Sequence, residues 1–222
     1  GSIDLQSDLT CFEAANGQII VSASGGSGGY TFTWADGPTG QSRSNLPAGT
    51  YEVLIEDSDS NQVTLSGIVI AQPTQIELTP VVTDPSCFGG SDGAITTNPS
   101  GGAGGYSFAW SDASTAQNRS GLSPGTYTVT VTDSSGCSRL FSIEVGQPPE
   151  IQITVNKTGK NIANTISGGT PPYSYLWSDG VILKDRTDMA NGVYTFTVTD
   201  ANGCQQTTTI VIQDFKFFFS KN

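Results

Sequence analysis

Apolar side chains recur at every second position in short runs along this chain, and polar residues with glycine or proline separate the runs. The clearest stretch lies between residues 76 and 145. Tyr106, Phe108 and Trp110 alternate with polar or small residues, and Tyr127, Val129 and Val131 alternate with threonines. A period of two places such residues on one face of a β-strand. The pattern predicts strands over 76–83, 94–98, 106–111, 126–132 and 140–145. Between them it predicts a loop over 84–93, a short edge strand within 114–120 and a turn over 133–136. Nothing in the chain holds a helical period. Turn-forming Gly and Pro, with Thr, Val, Ile and aromatics between them, complete an all-β composition.

The pattern is stated three times. Ser24-Gly25-Gly26, Ser100-Gly101-Gly102 and Ser167-Gly168-Gly169 each open a copy. After three intervening residues come Tyr30-Phe32-Trp34-Asp36, Tyr106-Phe108-Trp110-Asp112 and Tyr173-Tyr175-Trp177-Asp179 in alternation. Gly49-Tyr51, Gly125-Tyr127 and Gly192-Tyr194 follow, and an Asp (Asp57, Asp133, Asp200) closes each copy. The chain is therefore an array of units of about 70 residues, expected at 3–75, 76–150 and 151–214. The junctions repeat too: Gln72-Pro73 and Gln147-Pro148 run within a few residues into the next first strand. A Leu-x-x-Gly-x-Tyr spacing at Leu46–Tyr51 and Leu122–Tyr127, with Met189–Tyr194 alike, resembles the tyrosine corner of Greek-key sandwiches. The expected architecture is three tandem immunoglobulin-like or PKD-like β-sandwich repeats. Trp34, Trp110, Trp177, Tyr51, Tyr127 and Tyr194 are its expected core.

Charge narrows the partners. Nine basic and twenty acidic residues leave a net charge of −11. Such a surface disfavours nucleic acid and anionic membrane. No apolar run is long enough to insert into a bilayer. With no histidine and no nucleophile beside a base, no catalytic residue is assigned, and the segment is expected to lack enzymatic activity. The three tryptophans could form carbohydrate platforms, but their alternating company favours the core. Asp57, Asp59 and Asn61 have the alternating oxygens of a Ca²⁺ loop, yet no terminal bidentate Glu completes it. Turn capping is the preferred role for them, as for Asp36, Asp112, Asp179, Asp133 and Asp200. No cofactor is expected, Ca²⁺ being the one alternative.

Four cysteines remain. Cys87 and Cys137 flank the second unit and are expected to bridge. Cys11 aligns with Cys87 but finds Asn61 at its partner position. Cys204 aligns with Cys137, and its partner position falls near Thr154 or Val155. Both are expected to be unpaired. The composition favours an oxidising, extracellular setting.

As a set, these motifs resemble the SprB repeat. Residues 168–180 carry Gly-Gly-x-Pro-Pro-Tyr-x-Tyr-x-Trp-Ser-Asp-Gly, and residues 192–204 carry a tail ending in Asp-x-x-Gly-Cys. The second unit carries both cysteines and the tail, and the first diverges most at 58–62. The resemblance covers residues 3–213. It implies tandem segments of large cell-surface adhesins of gliding bacteria, or of secreted multidomain proteins exported by the type IX system. It defines no catalytic or binding residue. The function expected from it is a non-catalytic segment spacing or presenting an adhesive surface, with a cell-surface polysaccharide or other extracellular surface as partner. The alternative is a carbohydrate- or protein-binding module, or a passive spacer, of a secreted enzyme. Gly1-Ser2 reads as a cloning remnant, leaving a native leader open. Residues 215–222, with four phenylalanines in five positions, read as a tail or as the start of a next domain, faintly similar to the entry of a type IX sorting domain.

Overall fold

The computed structural model describes residues 1–214; the Phe-rich tail lies outside the described residues. Every regular element among them is a β-strand. The first repeat contains β1 (Ser2–Ser7), β2 (Gly17–Ser22), β3 (Thr31–Trp34), β4 (Ser42–Leu46), β5 (Gly49–Glu56) and β6 (Gln62–Ile70). They form two sheets, β1-β2-β4 and β3-β5-β6, with antiparallel pairing throughout. Alternation does the rest. Ile19, Val21 and Leu46 from one sheet meet Trp34, Val53, Ile55, Ile68 and Ile70 from the other, all buried in one core. This is a β-sandwich.

The second repeat contains β7 (Glu77–Leu78), β8 (Val81–Thr83), β9 (Gly93–Thr96), β10 (Pro99–Ser100), β11 (Ser107–Trp110), β12 (Arg119–Leu122), β13 (Gly125–Thr132) and β14 (Ser138–Val145). The strand expected over 76–83 is broken in two, and the one expected over 94–98 ends at Thr96, with a further short strand starting at Pro99. Pro80 and Pro99 stand at the breaks. Proline has no N–H to give a ladder, so β7 pairs with β10 while β8 pairs with β9. The edge strand falls at β12, later than the expected 114–120. The remaining sheets are β12-β9-β8 and β11-β13-β14.

The third repeat contains β15 (Gln152–Thr158), β16 (Asn161–Ser167), β17 (Ser174–Trp177), β18 (Gly192–Thr199) and β19 (Gln205–Ile212). Its sheets are β15-β16 and β17-β18-β19. A single bridge, Ile162 to Arg186, stands where β4 and β12 lie in the other repeats. The β15–β16 connection is a tight hairpin closed by the Thr158–Asn161 pair, with Gly159 at φ +63°.

The described chain gathers into two compact units. The first comprises Gly1–Thr79, Thr97–Gln117 and Thr128–Phe141; the second comprises Pro80–Thr96, Asn118–Tyr127 and Ser142 onward. Each unit contains one repeat junction and one disulfide.

The repeat junctions as a candidate functional site

Each junction is built around one aspartate. The Asp133 carboxylate accepts the backbone N–H groups of Ala103 (2.9 Å), Ser135 (2.9 Å) and Cys137 (3.0 Å). Asp200 does the same with Thr170 (2.8 Å), Asn202 (2.9 Å) and Cys204 (2.9 Å). The glycine pair lets the opening loop reach this carboxylate. Gly102 has φ +57°, and a Cβ there would stand 2.4 Å from Asp133 Oδ2. Its first glycine is held by a tyrosine: the Tyr106 hydroxyl donates to Gly101 O at 2.5 Å, and Tyr173 to Gly168 O at 2.6 Å. The opened loop then bonds the incoming linker, Gly102 N–H to Thr74 O (2.9 Å) and Gly169 N–H to Pro149 O (2.8 Å).

The linker side is equally ordered. Gln72 Oε1 accepts the N–H of Glu13, and Gln147 Oε1 accepts that of Gly89, both at 2.9 Å. These bonds hold the loop that carries Cys11-Phe12 or Cys87-Phe88 beside the linker.

The disulfides cross the junctions. Cys11 is bonded to Cys137 and Cys87 to Cys204, with Cα–Cα distances of 5.6 and 5.5 Å. The expected Cys87–Cys137 bridge, with Cys11 and Cys204 unpaired, is therefore corrected. The physical reason is visible in the first repeat. The Cys11 loop lies at the Ile70 end of β6, where Leu9 N–H donates to Ala71 O (3.0 Å). The Asn61 turn lies at the other end, beside Gln62. Nine residues of strand separate them, roughly 27 Å at about 3.3 Å per residue, against the 7 Å a disulfide can span. The two cysteine positions of one repeat sit at opposite poles, so each bonds to the adjoining repeat. Thr154 and Val155 lie inside β15, where the third repeat has a hairpin in place of the cysteine loop.

Around each disulfide lies a groove, and the two grooves use equivalent positions. In the first unit Phe12, Pro73, Gln75, Ile76 and Arg139 line it with the Cys11–Cys137 bridge, enclosing about 400 Å³. In the second, Phe88, Pro148, Glu150, Ile151 and Gln206 line about 190 Å³ with the Cys87–Cys204 bridge. Arg139 donates to Ile76 O at 2.7 Å and pairs with Glu77 at 2.7 Å.

The other singled-out residues fall elsewhere. Trp34, Trp110 and Trp177 are buried, and their indole N–H groups donate to Gly40 O (2.9 Å), Ala116 O (2.7 Å) and Leu183 O (2.7 Å). Tyr51, Tyr127 and Tyr194 donate to Pro47 O (2.8 Å), Ser123 O (2.9 Å) and Ala190 O (3.2 Å), four residues upstream. Asp57 accepts N–H groups of Ser27, Asp59 and Asn61 (2.9–3.2 Å), and the Asn61 amide turns its nitrogen to the same carboxylate. Donors, not open coordination positions, thus surround the Asp57 oxygens. Among the described residues no group of three or more acidic or cysteine side chains could hold a metal. We expect equal melting temperatures in chelator and in millimolar Ca²⁺, read by circular dichroism; a chelator-reversible rise would assign the Asp57 loop to calcium.

A further repeated signal lies in arginine: Arg43, Arg119 and Arg186 each follow a repeated Asp by seven positions. Arg43 bonds both oxygens of Asp36 (2.8 and 2.9 Å), and Arg186 bonds Asp179 (2.7 Å). Each guanidinium also lies over the core Trp and the corner Tyr of its repeat, 5.2–5.7 Å from the ring centroids. That geometry is cation–π stacking, and the arginine hydrogen bond holds the Asp36 and Asp179 carboxyls below the ordinary range.

The junction aspartates also titrate low. Asp133 is lowered chiefly by the Ala103 N–H, against the opposing effect of burial. At Asp200 burial is the largest effect and raises the pKa, but the N–H groups of Thr170, Cys204 and Asn202 together outweigh it. A folded pKa below the unfolded value of about 3.9 gives stability that is present above that pH and lost as pH falls through the folded pKa. Urea midpoints are expected to be level from pH 7 to about 5 and to drop below about 4. Asp200→Asn should lower the pH 7 midpoint and flatten the acid limb; an unchanged acid limb would remove Asp200 from this account.

With this geometry in place the chain can be compared with known families. Residues 3–39, 79–115 and 162–181 match the SprB repeat. Three segments of the chain thus resemble the SprB repeat. The SprB matches cover the opening part of each repeat through the Trp turn, and the tyrosine corner and closing Asp lie outside them. No curated protein matches the chain. Several solved structures are similar over nearly all of it. The N-terminal eight Ig domains of Down Syndrome Cell Adhesion Molecule isoform 1.30.30 align at 11% identity and TM-score 0.43, over 95% of this chain and 36% of that one. The chain thus spans about a third of that relative's length. Dpr2 Ig1-Ig2 in complex with DIP-Theta Ig1-Ig3 aligns at 11% identity and TM-score 0.30, over 96% and 97%. Drosophila OTK extracellular domains 3-5 align at 10% and 0.29, over 91% and 93%. The first and third repeats are β-sandwiches on the strength of their own sheets and cores.

Proposed function

We propose that this chain is a non-catalytic segment of a bacterial cell-surface adhesin, exported by the type IX route, that presents an adhesive surface for attachment or gliding. The observation that carries the reading is the pairing of tandem SprB repeats with a disulfide across each junction. Disulfides of this kind persist in oxidising compartments outside the cytosol. They also hold adjoining repeats together where a linker alone would flex. The absence of histidine from the sequence supports a binding role over an acid–base one.

Weak single contacts become useful in such an array because each bound copy raises the effective concentration for the next. The test compares retention of the three-repeat chain with that of tandem copies on beads coated with cell-surface polysaccharide. Retention climbing steeply with copy number supports the adhesive reading. Flat, background retention at every copy number would make the segment a passive spacer.

A further inference from the structure

We infer that the groove at the first repeat junction is a binding subsite for a neutral pyranose, an inference that deepens the adhesive reading and rests on it. The lining argues for this ligand class. Its apolar part comprises the half-buried Phe12, Pro73, Ile76 and the Cys11–Cys137 disulfide. Its polar part includes Gln75 and Arg139. A pyranose has the matching division, one face of C–H groups and an edge of hydroxyls. Amphipathic ligands of this kind sit in pockets with mostly apolar walls and a few placed polar groups.

Charge argues against an ionic ligand. Arg139 is already paired with Glu77, and the Asp133 carboxylate is consumed by three backbone N–H groups. The net charge of −11 repels polyanions. Size separates the two junctions. The first groove, about 400 Å³, falls in the range of small-molecule sites, about 300–1,000 Å³; the second, about 190 Å³, falls below it. Glu150 and Gln206 there bond each other at 3.3 Å, in the places of Gln75 and Arg139. The second junction therefore serves as an internal control.

The experiment is an amide NMR titration of the intact, oxidised chain with methyl glycosides of glucose, galactose and mannose, and with sialic acid. A neutral glycoside should shift the amides of Phe12, Gln75 and Arg139 in a saturable way, while sialic acid should not. Phe12→Leu preserves apolar bulk and should weaken the effect about tenfold, and Phe88→Leu should leave it unchanged. Melting of both variants confirms that each is folded. No saturable shift at the first junction with any neutral glycoside, or equal shifts in Phe12→Leu, would overturn the assignment. The bead experiment separates the two readings: retention of tandem copies carrying Phe12→Leu at wild-type level removes the groove and leaves adhesion standing. Saturable shifts without bead retention keep the groove and remove the polysaccharide-adhesion reading.

Discussion

Replacing Cys87 and Cys204 together by serine is expected to lower the unfolding free energy of the second unit by about 4–5 kcal/mol. The bond closes a loop with a sequence separation of 117. In the chain-entropy view, such a cross-link removes freedom from the unfolded chain. Small sandwiches have little stability in reserve, so most of the unit's margin should go. Urea melts without reductant, followed by Trp177 fluorescence, give the number. The bond map itself is checked by mass spectrometry of a non-reduced digest, which should yield Cys11 with Cys137 and Cys87 with Cys204. Recovery of Cys87 linked to Cys137 would refute this arrangement, and a loss below 1 kcal/mol would show that the junction is held without its bond.

Trp177→Ala is expected to cost about 3–5 kcal/mol, the range for deleting a large buried aromatic. The side chain is 1% exposed. Its ring lies 4.7 Å from that of Phe196, its N–H donates to Leu183 O, and the Arg186 guanidinium covers it. Alanine leaves a cavity, an orphaned carbonyl and a cation left with the Tyr194 ring alone. Trp177→Phe retains part of the packing and should cost less. A near-zero change on Trp177→Ala would mean that the indole is not packed in the core, and a carbohydrate platform at that position would then return as the better explanation.

Much of the fold was legible because β-strands write their burial into alternate positions. Tyr106, Phe108 and Trp110 declared a face, and the intervals from Trp to Tyr to Asp declared three copies of it. The breaks at Pro80 and Pro99 were also available in principle, since a proline cannot donate to a ladder. The junction was less legible. Cys87 and Cys137 were matched because they flank one repeat, and flanking in sequence was treated as nearness in space. In a sandwich strand, one residue advances the chain by about 3.3 Å, so β14, with eight residues, carries the chain from one pole to the other. The Cys87 loop meets the far end of that strand, where Gly146 N–H donates to Asp84, while Cys137 stands before its first residue, so each cysteine faces a neighbouring repeat. The pairs Gln72–Glu13 and Gln147–Gly89 left no such signal, because side chain to backbone bonds between distant residues have no period. The Arg43, Arg119 and Arg186 series did have one, seven residues after each repeated Asp.

Pulled from its two ends, the oxidised chain cannot yield its full contour length. The loop from Cys11 to Cys137 overlaps the loop from Cys87 to Cys204. Tension entering before Cys11 passes to Cys137 through sulfur, runs backward along the polypeptide to Cys87, and leaves through sulfur at Cys204. Only roughly 70 residues of backbone then lie on the taut path, about 240 Å at full extension, with the rest slack and shielded from load. Reduction would lengthen the taut path to roughly three times that value. Each staple alone would act as a stop against stretching, and their overlap shortens the taut path further.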